Sequence, residues 1–305
     1  MRAPPQEQSA TVGSSMPELM QFLLSGLTVG AVYALVALGF TIIYNASDVV
    51  NFAQGEFVML GGMITVFAFD AGLPLPLAAV IAIMVTAAIG VALNKLAIAP
   101  ARGAPVVSLI IITIGASIFI RGVTQLVFDK QLHRLPAFSG DEPIRILGAT
   151  ILPQSLWVIA GAILVFVALW LFFTRTLTGK AVLATSNNRL AAQLVGINTN
   201  WVMTLSFALS AAIGALAGVL VTPITLTSYD LGIALALKGF AAAMLGGMGN
   251  PKGALVGGIL LGLFEALTAG FLSSQYKDAV AFIVILAVLF AMPQGLFGRN
   301  SVNRV

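Results

Sequence analysis

The sequence predicts an all-α integral membrane protein, a polytopic helical bundle of about eight or nine spans with an inverted repeat and broken or re-entrant helices. Three observations carry this. Only 9% of the residues are charged and 59% are hydrophobic, with a mean hydropathy of +1.03, whereas a soluble domain carries roughly 25% charged residues. Apolar runs long enough to cross a core of ~30 Å recur along the chain, without the strict alternation of a membrane barrel. A five-residue motif also occurs twice, in segments of opposite sense. Cysteine is absent and His133 is the single histidine, which excludes disulfides, thiolate metal sites and histidine-rich centres. The net charge of +4 suits positive cytoplasmic loops and gives no indication of nucleic acid as a partner.

Residues 1–18 read as a loose polar tail, residues 19–298 as the permeating domain and residues 299–305 as a second tail. The tail lacks the basic cluster and short apolar core of a secretory signal. The first span, from about Leu19 to Tyr44, carries Gly26, Gly30, Ala34 and Ala37, a small-residue stripe that admits a close neighbour. Asn45–Glu56 is polar, with Asp48, Asn51, Gln54 and Glu56 and no basic residue. A run ending near Phe69 follows, then spans at 77–93, 106–128 and 156–173. Beyond them come 202–221, with Ser206, Ser210, Gly214 and Gly218 at every fourth position, and then 233–248, 254–271 and 279–292.

Lys95, Arg102, Arg175, Lys180, Arg189, Lys252, Arg299 and Arg304 fall on one side if the spans alternate, and that nearly acid-free side is expected to be cytoplasmic. The loop at 129–153 and the turn holding Asp230 then face outward, and the amino terminus is expected outside.

Residues 174–201 form the longest polar stretch between apolar runs. Ser186, Asn187 and Asn188 offer capping oxygens, Leu190, Leu194 and Ile197 recur at helical spacing, and Gly196 suits a left-handed stop. An amphipathic helix over 187–196, tied to spans at both ends, is expected at the cytoplasmic surface. It either transmits force from something docked there or only spaces two spans.

Met59–Met63 and Met244–Met248 both read Met-Leu-Gly-Gly-Met, with opposite directions by the loop count. Such a pair points to an inverted repeat, and paired glycines permit broken helices around a path. The intramembrane ionisable residues are Glu56, Arg121, Lys238 and Glu265; Glu56 and Lys238 divide evenly between pathway and structural roles, and Arg121 reads as an interface anchor. No phosphate-binding loop is present: Gly179-Lys180 is followed by Ala181 and lacks the required upstream glycine. Neither a catalytic carboxylate pair nor a metal cluster is evident. The chain therefore reads as a non-enzyme without a cofactor of its own, and if ATP drives it another subunit binds the nucleotide.

The first span followed by Val50-Asn51-Phe52-Ala53-Gln54-Gly55-Glu56 resembles the signature of LivH-type permeases, the membrane subunits of branched-chain amino acid ABC importers. Arg189–Trp201 resembles their cytoplasmic coupling loop, and Gly246-Gly247-Met248-Gly249 also fits. The resemblance implies a multi-pass protein of the bacterial inner membrane, in contact with lipid. Its implied partners are a second homologous permease, two ATPase subunits and a periplasmic binding protein that does most of the substrate selection. It places Leu190, Ala191, Ala192 and Gly196 in the coupling frame, with Leu190 where the family pattern has an acid, so that shape and Arg189, beside Ile197, become the expected grip. It also implies a translocation path lined or shaped by Asn51, Gln54, Glu56, Gly61, Gly62, Lys238, Gly246 and Gly247. Branched-chain amino acids or similar small polar solutes are the expected cargo. An ion-gradient-driven transporter and a non-transporting scaffold are the alternatives.

Overall fold

The computed structural model describes residues 16–146 and 148–298, so the C-terminal tail with Arg299 and Arg304, and most of the N-terminal one, lie outside the described residues. Its helices are α1 (Met16–Ser47), α2 (Gln54–Asp70), α3 (Leu75–Leu93, continued by a π-helical turn at Asn94–Ile98), α4 (Val106–Val127) and α5 (Pro153–Arg175). Two short ones follow, α6 (Leu177–Asn187) and α7 (Arg189–Leu194), then α8 (Thr199–Thr225), α9 (Leu231–Gly246), α10 (Pro251–Phe271) and α11 (Lys277–Ala291). A hairpin of β1 (Ile144–Ile146) and β2 (Ala149–Ile151), antiparallel with Ile144 opposite Ile151, precedes α5.

Among the described residues, six helices are long and apolar enough to cross a membrane: α1, α3 with its π turn, α4, α5, α8 and α10. The expected runs at α2 and α9 are real helices, but they have 17 and 16 residues. At 1.5 Å per residue each rises about 25 Å, short of a ~30 Å core. Both begin deep inside the bundle. The side chain of Gln54, first residue of α2, meets Ser210, eleven residues into α8, so residues 48–53 turn back into the protein after α1 ends. Residues 226–230 do the same from the other end: Thr227 pairs with His133, while Gly232 already touches Gly55. Irregular backbone at that depth is tolerated because it is enclosed by protein.

The packing is an inverted repeat of α1–α4 and α8–α11. Helix α1 packs on α10 as α8 packs on α3; α2 lies on α8 as α9 lies on α1; α2 touches α3 and α4 as α9 touches α10 and α11. On the pseudo-axis α1 meets α8 and α2 meets α9. The doubled Met-Leu-Gly-Gly-Met motif, however, does not mark the repeat. Met59–Met63 sits in the middle of α2, whereas Met244–Met248 straddles the end of α9, where Gly247 has φ +100°. The equivalent positions are instead Gly55 and Gly232, the second residue of each half-helix, and they contact each other. A Cβ at Gly55 would overlap the Gly232 carbonyl, and one at Gly232 would lie 2.7 Å from the Gly55 oxygen. Only glycine lets the two helix starts cross this closely.

Both small-residue stripes pack as expected. Gly26 and Gly30 of α1 abut the α10 backbone at Leu263 and Ile259, and Gly214 and Gly218 of α8 receive Phe57 and Val58 of α2. The basic loops also gather at one end. Arg102 bonds Asn200, Asn45 donates to the Gly249 carbonyl at 2.9 Å, and Tyr44, Leu183, Asn187 and Asn250 share one cleft of about 680 Å³. At the opposite end Gln21 clasps the backbone of Thr150 through both its amide atoms, at 2.9 and 2.7 Å.

Candidate translocation and coupling sites

The start of α2 is held by polar contacts that the Asn-Phe-Ala-Gln-Gly-Glu run supplies. Asn51 Oδ1 accepts from the Ala53 N–H at 3.2 Å, and the Phe52 N–H donates to Thr113 Oγ1 of α4. The Ser210 hydroxyl lies 2.6 Å from Gln54 Oε1 and 2.8 Å from the Gly39 carbonyl. Asn51 and Gln54 are thus enclosed. Gly61 and Gly62 are buried as well, pressed against Ala215 and against Thr222 and Thr227. Gly246 meets Gly253 of α10, and Gly247 meets the segment after α11, whose Leu296 and Phe297 N–H groups donate to the carbonyls of Leu245 and Gly246. These glycines set helix spacing.

Glu56 is 1% exposed, and its Oε1 accepts from Ser117 Oγ at 2.7 Å and from Arg121 Nη2 at 3.0 Å. Arg121 is therefore no interface anchor: its guanidinium turns inward because a buried carboxylate without a partner costs several kcal/mol. Opposite charges on α2 and α4 were visible in the sequence, but not that α4 packs beside α2. In the second half Lys238 Nζ lies 2.7 Å from both Glu265 Oε1 and Asp278 Oδ1, and the Tyr33 hydroxyl donates to Glu265 Oε2 at 2.6 Å. Asp278 and Tyr33 carry no motif and emerge only from the packing.

At the basic end the helix expected over 187–196 is α7, at Arg189–Leu194, and a second helix precedes it. The polar lead-in is itself helical, α6, capped by Thr176 Oγ1 on the Gly179 N–H. Asn188 breaks the chain with an extended backbone and starts α7 by accepting from the Ala191 N–H at 2.9 Å. Gly196, with φ +88°, ends it, and Asn198 caps α8. Ile197 thus lies beyond the helix and is half-buried. Ala192 is 3% exposed and pins α7 down, whereas Leu190, Leu194 and Val195 are 70%, 81% and 77% exposed. Ala191 and Gly196 share that exposed side. The spacing of Leu190 and Leu194 puts both on one face of α7, and that face is left uncovered. Arg189 is half-buried, with its charge felt by neighbouring groups. Burial pushes the Asp48 carboxyl above the usual range while Arg189 pulls it back, and burial followed by the like charge of Arg189 lowers Arg102. The apolar side chains of Leu190, Leu194 and Val195 are the most exposed large ones of this turn.

Residues 22–289 match the family model described as the branched-chain amino acid transport system / permease component. The chain belongs to this permease family. The permease is 35% identical to the high-affinity branched-chain amino acid transport system permease protein BraD of Pseudomonas aeruginosa, over 95% of this chain and 100% of that one. It is 33% identical to the LivH protein of the same description from Escherichia coli, over 94% and 97%. A more distant relative, the ribose import permease protein RbsC of Haemophilus influenzae, is 27% identical over 88% of this chain and 84% of that one. The inner membrane is where such permeases reside, which accords with the six helices among the described residues that are long and apolar enough to cross one.

Proposed function

We propose that this chain is the transmembrane permease subunit of a binding-protein-dependent ABC importer for branched-chain amino acids or similar small polar solutes. Separate ATPase subunits drive it from the cytosol. The observation that carries the coupling role is α7: an apolar knob of Leu190, Leu194 and Val195, standing at the basic end between the two inverted halves. Exposed leucines on a rigid, capped turn are what a groove on a partner protein takes up. Closure of two ATPase subunits would move α7 together with α6 and α8, tilting one half against the other and alternating access to a path beside the half-helices. A second homologous permease completes the path, and a periplasmic binding protein delivers the solute. BraD and LivH carry branched-chain amino acids in their names and RbsC carries ribose, and the higher identity of the first two favours amino acids.

The test is uptake of leucine into proteoliposomes holding this chain, its partner permease, binding protein and ATPases. ATP-dependent uptake is expected. Leu194→Asp should abolish it and the co-purification of the ATPases, with the permease's own thermal stability unchanged. Uptake without ATP, or full coupling in Leu194→Asp, would overturn the proposal.

A further inference from the structure

At the end opposite the basic loops, the chain that leaves α4 folds back and seats on the re-entrant turn between α8 and α9. His133 and Thr227 form an isolated antiparallel bridge there, each N–H donating to the other's carbonyl, at 2.8 and 2.9 Å. His133 follows the last helix of one half of the inverted repeat, and Thr227 lies within the other. Buried backbone polar groups need partners, so the re-entrant turn of the second half is completed by a loop of the first.

The seat is built from several elements. His133 Nε2 lies 2.9 Å from Asp129 Oδ1, which also accepts from the Gln131 N–H at 2.7 Å. The imidazole packs edge-on against Phe67 in the last turn of α2, with centroids 4.8 Å apart, and Phe67 meets Phe128 at 4.9 Å. Leu135 is fully buried in the same loop. Thr227 is fully buried too, lies against Gly62 in the middle of α2, and has a hydroxyl without a hydrogen-bond partner among the described residues.

The bridge also holds strained backbone on both of its strands. Among the described residues three non-glycine residues have a positive φ, and two of them flank this contact, Asp129 at +106° and Leu226 at +66°. Leu226 combines its φ with a ψ of 172°, a region that is essentially confined to glycine. Such conformations persist only where the surroundings over-determine them, and they collect at switch regions. A leucine held there, directly beside a two-bond bridge, relaxes when the bridge lets go. The basic end is built differently, with clefts of about 680 and 390 Å³ beside the ends of α1 and α9. One end of the bundle is thus hollow, while the bridge closes the other.

We propose that the His133–Thr227 bridge is a strained latch on the outer face, which ties the two halves together over the start of α9 and opens once in each transport cycle. The inference rests on the importer reading above, in which one half tilts against the other. A backbone bridge across the halves must either yield to that tilt or forbid it.

The chain contains no cysteine, so thiols can be placed without removing any. Thr227→Cys replaces a hydroxyl that makes no bond and is covered while the latch is closed. Residues that exchange both hydrogen bonds across antiparallel strands have Cα atoms about 5.5 Å apart, a separation that a disulfide spans. His133→Cys combined with Thr227→Cys can therefore lock the latch. ATP-driven leucine uptake by the unmodified complete importer is measured first, and its absence counts against the importer reading alone. With uptake established, a charged methanethiosulfonate reagent should label Thr227→Cys importer in nanodiscs at least tenfold faster with binding protein, ATP and vanadate than without nucleotide. Leu135→Cys repeats the measurement at a second covered position. One labelling rate in both states would overturn the latch. Oxidising the double variant should form the disulfide and cut leucine uptake at least tenfold, with dithiothreitol restoring it and each single variant indifferent to the oxidant. A disulfide that never forms, or full uptake by the cross-linked importer, would equally sink the proposal.

Discussion

In the first half of the permease a carboxylate on the half-helix, Glu56, meets a guanidinium on the outer helix, Arg121; in the second an ammonium on the half-helix, Lys238, meets a carboxylate on the outer helix, Asp278. The chain path is repeated, and so is the tie from half-helix to outer helix, but its polarity is reversed. The two ties also differ in completeness. Lys238 is flanked by Glu265 and Asp278, with Tyr33 bonded to the second oxygen of Glu265, so α1, α9, α10 and α11 are joined in one network. Glu56 leaves one oxygen unused and faces a groove. The second tie joins four helices, whereas the first joins two, α2 and α4. Inverted symmetry therefore fixes where charged ties stand, and the local residues decide how many helices each one joins.

Four substitutions, one of them with a compensating partner, would break or sharpen that contrast. The largest effect is expected where the halves cross. Gly55→Leu puts a side chain into the Gly232 backbone, and no monodisperse permease should be recovered after detergent extraction. Recovery of stable Gly55→Leu protein would show that the crossing is not tight. Next come the ties themselves. Arg121→Met strands Glu56 in a buried site, at a cost of about 3–5 kcal/mol, read as a large drop in the thermal midpoint of the purified permease. Adding Glu56→Gln should restore most of it. Lys238→Met should cost a similar amount, because Glu265 is left with only the Tyr33 hydroxyl as Glu56 is left with only that of Ser117; a much smaller loss at one site would show that its ion pair is not what holds the helices. The smallest effect belongs to Asp278→Asn. Asp278 is half-exposed and Lys238 retains Glu265, so a change under ~1 kcal/mol is expected, and a large fall in the midpoint would make the outer carboxylate the main holdfast.

Much of this was legible in the chain itself. Hydropathy sufficed for the apolar helices, because a segment in lipid must satisfy its own backbone and so shows in composition alone. The stripes of Gly26–Gly30 and Ser206–Gly218 announced close packing because helical spacing puts such residues on one face. Asn188 and Gly196 marked the start and stop of α7 by capping chemistry that needs only neighbouring residues. The basic loops collected at one end as their charge implied.

What the sequence by itself determined was therefore local or solvent-driven: which long segments are apolar helices, where the short helix α7 starts and stops, and which loops share the basic end. Only the tertiary structure decided how the repeat is registered, through Gly55 and Gly232 and not through the doubled Met-Leu-Gly-Gly-Met. It likewise decided that α2 and α9 start inside the bundle, that Arg121 turns inward, and that Leu190 and Leu194 face out. Each of these depends on which distant segment fills the space beside a residue. The strength of a charge pair, or the burial of a leucine, is set by that neighbour and not by the residue's place in the chain.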